Sequence, residues 1–443
     1  MSDRARVLVV GAGLAGLGAA WRLARRGFDV VVCERAAAAG GRLRSLPAEG
    51  GFSIDAGCPV LSSADRELHA FAEVLGLRDE LLPLRPLVRA QVYRGRVRVE
   101  GWRTPGIPPH QALRLLRLPR LLARYAPHLG RAAPGRAALL DDRSLGDFAR
   151  LYFGGAVLER WAEPLLDLQS PADPERASRA LFLRRHRQQA GARAGLPRAP
   201  LAELSEAAAK KLELRCESEV VRVAAGARGR LQVAVGRAAR VHEVSALVVA
   251  TPAAEAARIL APLLVTAERE FLARTRYAAE LQVAVALRRP LYAHPLWIDV
   301  PRSEGSPLAG ALLEPGVAGG RVPPGRGLAL LRARSGFAER HLDAPDEVLA
   351  KELFGAFARF LPGTVGAELF TRVLRDPAAR PRFDVGRYRE ISRFEDVQAG
   401  LRRAGRRVYF AGDYLMDPTW EGALLAARQA VRAVEEDVAP RVG

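Results

Sequence analysis

Three glycines near the start of the chain narrow its fold more than any other feature. Gly11, Gly13 and Gly16 are spaced Gly-x-Gly-x-x-Gly directly behind the apolar run Arg6–Val10. Leu17 to Arg26 reads as a helix, and a second apolar run, Asp29 to Val32, leads to Glu34. Strand, glycine turn, helix, strand and acid follow one another in the order of a dinucleotide-binding βαβ unit. In such a unit Gly11 permits the tight turn, Gly13 lets the backbone approach a pyrophosphate, and Gly16 lets the helix pack on the sheet. The phosphates are expected on the unpaired N–H groups and positive dipole end of the helix that opens at Leu14 and Ala15. Glu34 lies 34 − 16 = 18 residues past the last glycine, close to the roughly 20 expected of an acid that binds a ribose. Arg35 stands beside it.

Two further segments specify which dinucleotide. Gly40-Gly41-Arg42 follows the acid, and near the other end of the chain comes Gly412-Asp413, then Thr419-Trp420-Glu421-Gly422-Ala423 at the start of a helix reaching about Asp437. Together they resemble flavoproteins of the amine oxidase superfamily. The resemblance implies that Gly40, Gly41 and Arg42 continue the pyrophosphate contact. It also implies that Gly412, Asp413, Trp420, Glu421, Gly422 and Ala423 hold the ribityl chain, pyrophosphate and isoalloxazine of FAD. Glu219-Val220-Val221 is similar to the strand whose valine backbone, here Val221, meets the adenine. Gly51 to Gly57 is similar to the strand and turn passing the flavin, and Ser144 to Asp173 to a helical segment of protoporphyrinogen oxidases and carotenoid desaturases. The fold implied is α/β, a two-domain flavoprotein with a Rossmann-like FAD-binding domain and a mixed α+β substrate domain built from inserted segments. The FAD-binding domain is expected from 1–65, 200–265 and 396–443, and the substrate domain from 66–199 and 266–395, with a helical segment at about 110–190. Phe71 to Leu77 reads as a short helix, Leu212 to Val223 as strand and the Pro- and Gly-rich stretch 301–327 as loops, with turn signals at Gly154-Gly155 and Pro171 to Pro174.

Chain length and composition agree with a folded two-domain protein: 443 residues, 49% hydrophobic and 26% charged. The opening MSDRARVLVVG runs straight into the first strand, so no signal peptide is expected, and no apolar run is long enough to span a bilayer. Cys33, Cys58 and Cys216 have no metal-ligand or redox spacing, and the seven histidines are scattered, so no metal is expected. These features suit a cytoplasmic protein, peripheral to the inner face of a membrane if its basic segment makes such a contact. No cysteine follows Cys216, so the FAD is expected to be non-covalent.

The net charge of +19 invites a nucleic-acid reading. Only Lys210, Lys211 and Lys351 are lysines, so 68 − 3 = 65 basic residues are arginine. That bias spreads charge along the chain and builds no aromatic-interleaved patch, so no nucleic-acid partner is expected. One basic segment is more pointed. Over residues 111–125, Arg114, Arg117, Arg120 and Arg124 lie opposite Leu115, Leu118 and Leu122 at helical spacing. Such a helix either rests on an anionic bilayer or packs on its own domain.

Flavin carries the electron chemistry, so the protein has only to place a C–H bond and tune the ring. The expected reaction is dehydrogenation of a bulky apolar small molecule, an isoprenoid or tetrapyrrole, by hydride transfer to flavin N5. An amine or amino-acid oxidase is the enzymatic alternative. Against it, Thr419 stands where monoamine oxidases place an aromatic cage residue, and no lysine occurs between Lys211 and Lys351. A non-catalytic prenyl-binding protein of the GDP-dissociation-inhibitor type is the alternative from another class, and a nicotinamide dehydrogenase is disfavoured by the second flavin motif. Catalytic residues are not identified. Arg89, on an expected hairpin from Arg89 to Val99, and Thr419 are the substrate-binding candidates, Arg89 either as partner of a substrate anion or as a solvated strand residue.

Overall fold

The computed structural model describes residues 5–82, 84–101, 104–168 and 172–438. Its organising element is a parallel sheet assembled from distant parts of the chain. The order is Glu213–Arg215, Asp29–Cys33, Arg6–Val10, Ala246–Val249, Val408–Phe410, with every pair parallel. The apolar runs are continuous because both faces of such a sheet are covered. Val7, Val9, Val30, Val32 and Val248 face one way, into a core shared with Leu17 and Leu23 of the helix Leu14–Arg25 and Leu424 and Val431 of the helix Trp420–Asp437. Leu8, Val10, Val31, Leu247 and Val249 face the other way, over Phe148, Phe182 and Phe271. The first and last helices pack through small residues: a Cβ added to Gly18 would run into the Leu424 side chain.

A second sheet has seven strands, in the order Glu368–Pro381, Tyr277–Leu287, Gly327–Ala333, Leu308–Pro315, Leu296–Asp299, Val88–Tyr93, Arg96–Val99. Its last two strands are the expected hairpin. They turn through Arg94 and Gly95, both with positive φ (53° and 71°), as a two-residue turn of the primed type needs. A third, antiparallel sheet joins Val220–Ala225, Leu231–Val235 and Arg240–Val244. A buried ion triad ties the first two sheets' surroundings together. Arg321 donates to Asp55 at 2.9 Å and to Glu314 at 2.8 Å, with all three side chains at most 3% exposed. Asp55 belongs to the segment expected to pass the flavin, and Glu314 to the seven-stranded sheet.

Several elements differ from expectation. The Pro- and Gly-rich stretch 301–327, read as loops, contains the buried strand Leu308–Pro315, because Leu308 to Leu313 is an apolar run whose one glycine, Gly310, makes room for the Trp297 ring and whose prolines lie outside it. The helix expected from Phe71 is Arg66–Leu75, stopped by Gly76 at φ 83°. Residues 212–223 are two strands of different sheets, broken at Glu217, which has φ 52°. The basic segment forms the helix Pro109–Arg114, a 3-10 turn and the helix Leu118–Tyr125, with Pro119 accommodated in the first turn of the second. Leu118 is buried, and Leu115 and Leu122 pack on the core as expected, whereas Leu113 and Leu116 are 65% and 71% exposed. The turn expected at Pro171 and residues 439–443 of the last expected segment lie outside the described residues.

Candidate functional site

The glycine turn has the geometry the sequence anticipates. Gly11 leaves the strand at φ 97°, and a Cβ on Gly16 would overlap the Gly11 carbonyl oxygen. Gly13 is the N-cap of Leu14–Arg25 with no side-chain cap, so the first N–H groups of a 12-residue helix, those of Leu14 and Ala15 among them, form its positive end. A Cβ on Gly13 would have no heavy atom within 4 Å. The space in front of that helix is an open cradle. Gly40 donates its N–H to the Ala12 carbonyl at 2.9 Å, and Gly41 approaches Gly13 so closely that a Cβ would lie 3.3 Å from its Cα. The two glycine motifs therefore form one surface.

Glu34 is anchored at one end of this surface. Its Oε2 accepts from Ala12 N–H at 2.7 Å and its Oε1 from Ala36 N–H at 2.9 Å, leaving lone pairs on both oxygens. The Ser218 N–H donates to the Glu34 carbonyl at 2.8 Å, which brings in the strand Val220–Ala225. The pairing register skips Val221 between Val220 and Arg222, a β-bulge that takes its backbone out of the ladder. Arg35 is exposed, and its guanidinium lies 4.0 Å from Glu255 rather than toward the cradle.

The other chain end arrives beside Arg42. The Arg42 guanidinium pairs with Asp413 at 2.8 Å and donates to the Ala379 carbonyl at 2.5 Å. Burial is the largest influence and acts against its charge, but Asp413, through charge and hydrogen bond, together with Tyr277 and Asp376 leaves the Arg42 pKa raised. Gly412 is extended here, at φ −177°. Tyr277, which sequence reading missed as a site residue, accepts from Ala253 N–H at 2.9 Å, and burial followed by the Asp413 charge pushes its hydroxyl up to about 12. Trp420 opens the last helix, and a Cβ on Gly57 would sit 3.7 Å from its ring. Gly422 and Ala423 are buried in the first turn behind it.

Three candidates take other roles. Thr419 is the N-cap of the last helix, its Oγ1 accepting from Gly422 N–H at 3.0 Å. The Glu421 carboxylate accepts from Glu67 N–H at 2.9 Å and Leu68 N–H at 3.1 Å, capping Arg66–Leu75; burial raises its pKa to about 7. Arg89 is neither a solvated residue nor open to a substrate anion: it pairs with Asp299 at 2.5 Å, and Glu100 lies 3.9 Å away. A strand position beside a buried acid could not be recognised from the local sequence.

Buried polar atoms without partners test whether these residues suit a bound group. Thr251 Oγ1 and Arg380 Nη1 are two of sixteen buried side-chain atoms without a hydrogen-bond partner among the described residues. Thr251 adjoins Gly11, and Arg380 lies over the Trp420 ring with its guanidinium carbon 4.3 Å from the centroid. Native proteins rarely leave such atoms unmatched, and both flank the cradle. The site fits an elongated ligand with a pyrophosphate at Gly13, a ribose at Glu34 and a planar polar ring beside Gly57 and Trp420.

A cavity of about 410 Å³ is lined by Glu163, Asp173, Arg302, Arg334, Arg340 and Phe337 among others. A smaller one adjoins it, sharing Ala172, Asp173, Ser335 and Gly336 and reaching Ala278, Pro381 and Pro418. Pro381 and Pro418 are the chain neighbours of Arg380 and Thr419, so the smaller cavity reaches the strand and the loop that carry Arg380 and the last helix.

A parallel sheet with a glycine cradle at one end of its strands, met there by Asp413 from near the last helix, defines a dinucleotide-binding protein. The chain belongs to the family of flavin containing amine oxidoreductases, which it matches over residues 14–435. That membership makes flavin-containing oxidoreductases the class to which the chain belongs. It is 29% identical over 181 residues to protoporphyrinogen oxidase 2, chloroplastic/mitochondrial, of Arabidopsis thaliana, a match covering 39% of this chain and 34% of the relative. It is 47% identical over 92 residues to phytoene dehydrogenase of Streptomyces griseus, covering 20% and 18%. The chain thus aligns with about a third or less of the length of these relatives. Among solved structures, the putative protoporphyrinogen oxidase from Exiguobacterium sp. 255-15 superposes with a TM-score of 0.74 at 18% identity, covering 98% and 99% of the two chains. Cyclohexylamine oxidase from Brevibacterium oxydans gives 0.76 at 17%, covering 98% and 100%. Such identities speak for the fold alone. Family membership sets aside the non-catalytic prenyl-binding and nicotinamide readings.

Proposed function

We propose that the enzyme dehydrogenates a bulky apolar small molecule, with FAD held by segments 1–65, 200–265 and 396–443 and the substrate received between segments 66–199 and 266–395. Bound flavin supplies the electron acceptor for C–H oxidation. The chain's own residues hold the cofactor, shape the path to it and keep water from the reacting carbon. The larger cavity, adjoined by a smaller one that reaches Pro381 and Pro418, carries this reading. Its volume is in the range of small-molecule sites, and Phe337 and Ala309 give it apolar wall. In that lining Arg302 and Arg334 both pair with Glu163, and Arg302 also lies 3.6 Å from Asp173. The similarity to protoporphyrinogen oxidase 2 over 181 residues supports a tetrapyrrole ahead of a hydrocarbon isoprenoid. An amine substrate is supported less, because Thr419 caps a helix where a cage aromatic would be needed.

The reading also includes peripheral contact with an anionic membrane surface through 111–125. Exposed Leu113 and Leu116 and four exposed arginines support it. Anaerobic bleaching tests the substrate class. A porphyrinogen is expected to remove the visible absorbance of the bound flavin, phytoene or squalene derivatives to do so more slowly, and amines not at all. Bleaching by amines alone would replace this reading with amine oxidation.

A further inference from the structure

Arg380 directly precedes Pro381, which lines the smaller cavity, and nothing in the site so far gives it a task. It belongs to the strand Glu368–Pro381, opposite Ala278, between residues that touch two other parts of the site. The preceding Ala379 carbonyl receives Arg42, and the following Pro381 lines the smaller cavity. Its side chain is 5% exposed and stacks on Trp420, and a Cβ on Gly57 would lie 3.8 Å from its Nη2.

An arginine cannot shed its proton at accessible pH, so a buried one without a counter-ion is costly. Among the described residues no hydrogen bond or ion pair reaches Nη1. Glu280, the acid whose charge most favours Arg380, sits 3.3 Å from Arg332 and accepts from Gln282 at 2.5 Å. Asp413 is held by Arg42. Burial, joined by repulsion from Arg42 and Arg332, lowers the Arg380 pKa. The pocket therefore concentrates positive charge beside an aromatic face and the start of an 18-residue helix, whose dipole has the same sign.

We propose that Arg380 is the residue that sets the electron affinity of the flavin in this protein, by facing the ring and holding the negative charge the ring gains on reduction. The inference rests on the flavin reading of Gly57 and Trp420. It makes Arg380 a contact of the cofactor, not of the substrate. A fixed cation in a low-dielectric site favours whichever form of its neighbour carries more negative charge.

The test uses the holoenzyme with the variants Arg380→Met and Arg380→Lys, and sulfite as probe, because sulfite bonds to the oxidised ring and leaves it negatively charged. In Arg380→Met the sulfite Kd is expected to rise about tenfold, and the two-electron midpoint to fall by about 30 mV, the potential equivalent of a tenfold change. Arg380→Lys keeps the charge and is expected to stay within about threefold of wild type in sulfite affinity. A yellow Arg380→Met protein with wild-type sulfite affinity and midpoint overturns the proposal, whether or not its KM has changed. So does a wild-type holoenzyme that binds no sulfite. If the methionine variant does not fold, the lysine variant decides alone, and tenfold weaker sulfite binding by it in yellow protein counts against the proposal. A colourless wild-type protein would instead defeat the flavin reading itself, so the two failures are distinguishable.

Discussion

At the scale of single residues, the cofactor loop is the sharpest test. Because a Cβ on Gly13 meets no protein atom, Gly13→Val leaves the packing of the apoprotein intact, unlike a change at Gly16, which would collide with Gly11. The valine branches would project into the phosphate cradle. The variant is expected to be folded by circular dichroism and colourless after purification, with FAD affinity lowered by at least about a hundredfold, roughly the loss of one well-placed anion contact and added overlap. Normal yellow protein would move the pyrophosphate elsewhere. Residues of this loop were legible in the sequence because their roles depend on backbone conformation and close approach, which only glycine allows. Arg380 was not. In a chain with 65 arginines nothing local distinguishes the one that a 14-residue strand carries under Trp420. Glu421 and Thr419 were recognised as part of a motif, but the caps they form depend on neighbours such as Glu67, far away in sequence.

At the scale of elements, amphipathic spacing identified the basic segment and the side it buries, yet not how much of the other side is apolar. Leu113 and Leu116 project beside Arg114 and Arg117 at the junction of the two short helices, where the 3-10 turn rotates them outward. Replacing both by serine is expected to weaken binding to vesicles containing phosphatidylglycerol by about tenfold, through lost apolar insertion. The thermal midpoint should stay within about 2 °C of wild type, since neither leucine is packed in the core. Equal binding by wild type and variant would leave the segment as an ordinary surface helix. The strand Leu308–Pro315 illustrates the opposite failure. Its flanking Pro and Gly residues masked an eight-residue buried strand, because a central strand with both faces covered need not alternate.

At the scale of the whole molecule, the seven-stranded sheet and the segment passing the flavin are tied by the Arg321 triad. Removing the cation in Arg321→Met leaves Asp55 and Glu314 buried without their shared partner, and is expected to cost about 3 kcal/mol or more in unfolding experiments. Adding Asp55→Asn and Glu314→Gln should return part of that loss. No sequence pattern marks this triad, since its members are separated by hundreds of residues or by a loop, whereas the parallel sheet was readable from its valine runs. That sheet has a temporal side as well. Its edge strand, Val408–Phe410, begins 408 − 16 = 392 residues after the glycine turn, and the helix that seals the cradle follows it. During synthesis the early βαβ unit therefore waits, with one flank of its sheet and one face of its helix uncovered, until those residues have followed. A nascent chain stopped short of Val408 is expected to offer the cofactor only half of its cradle.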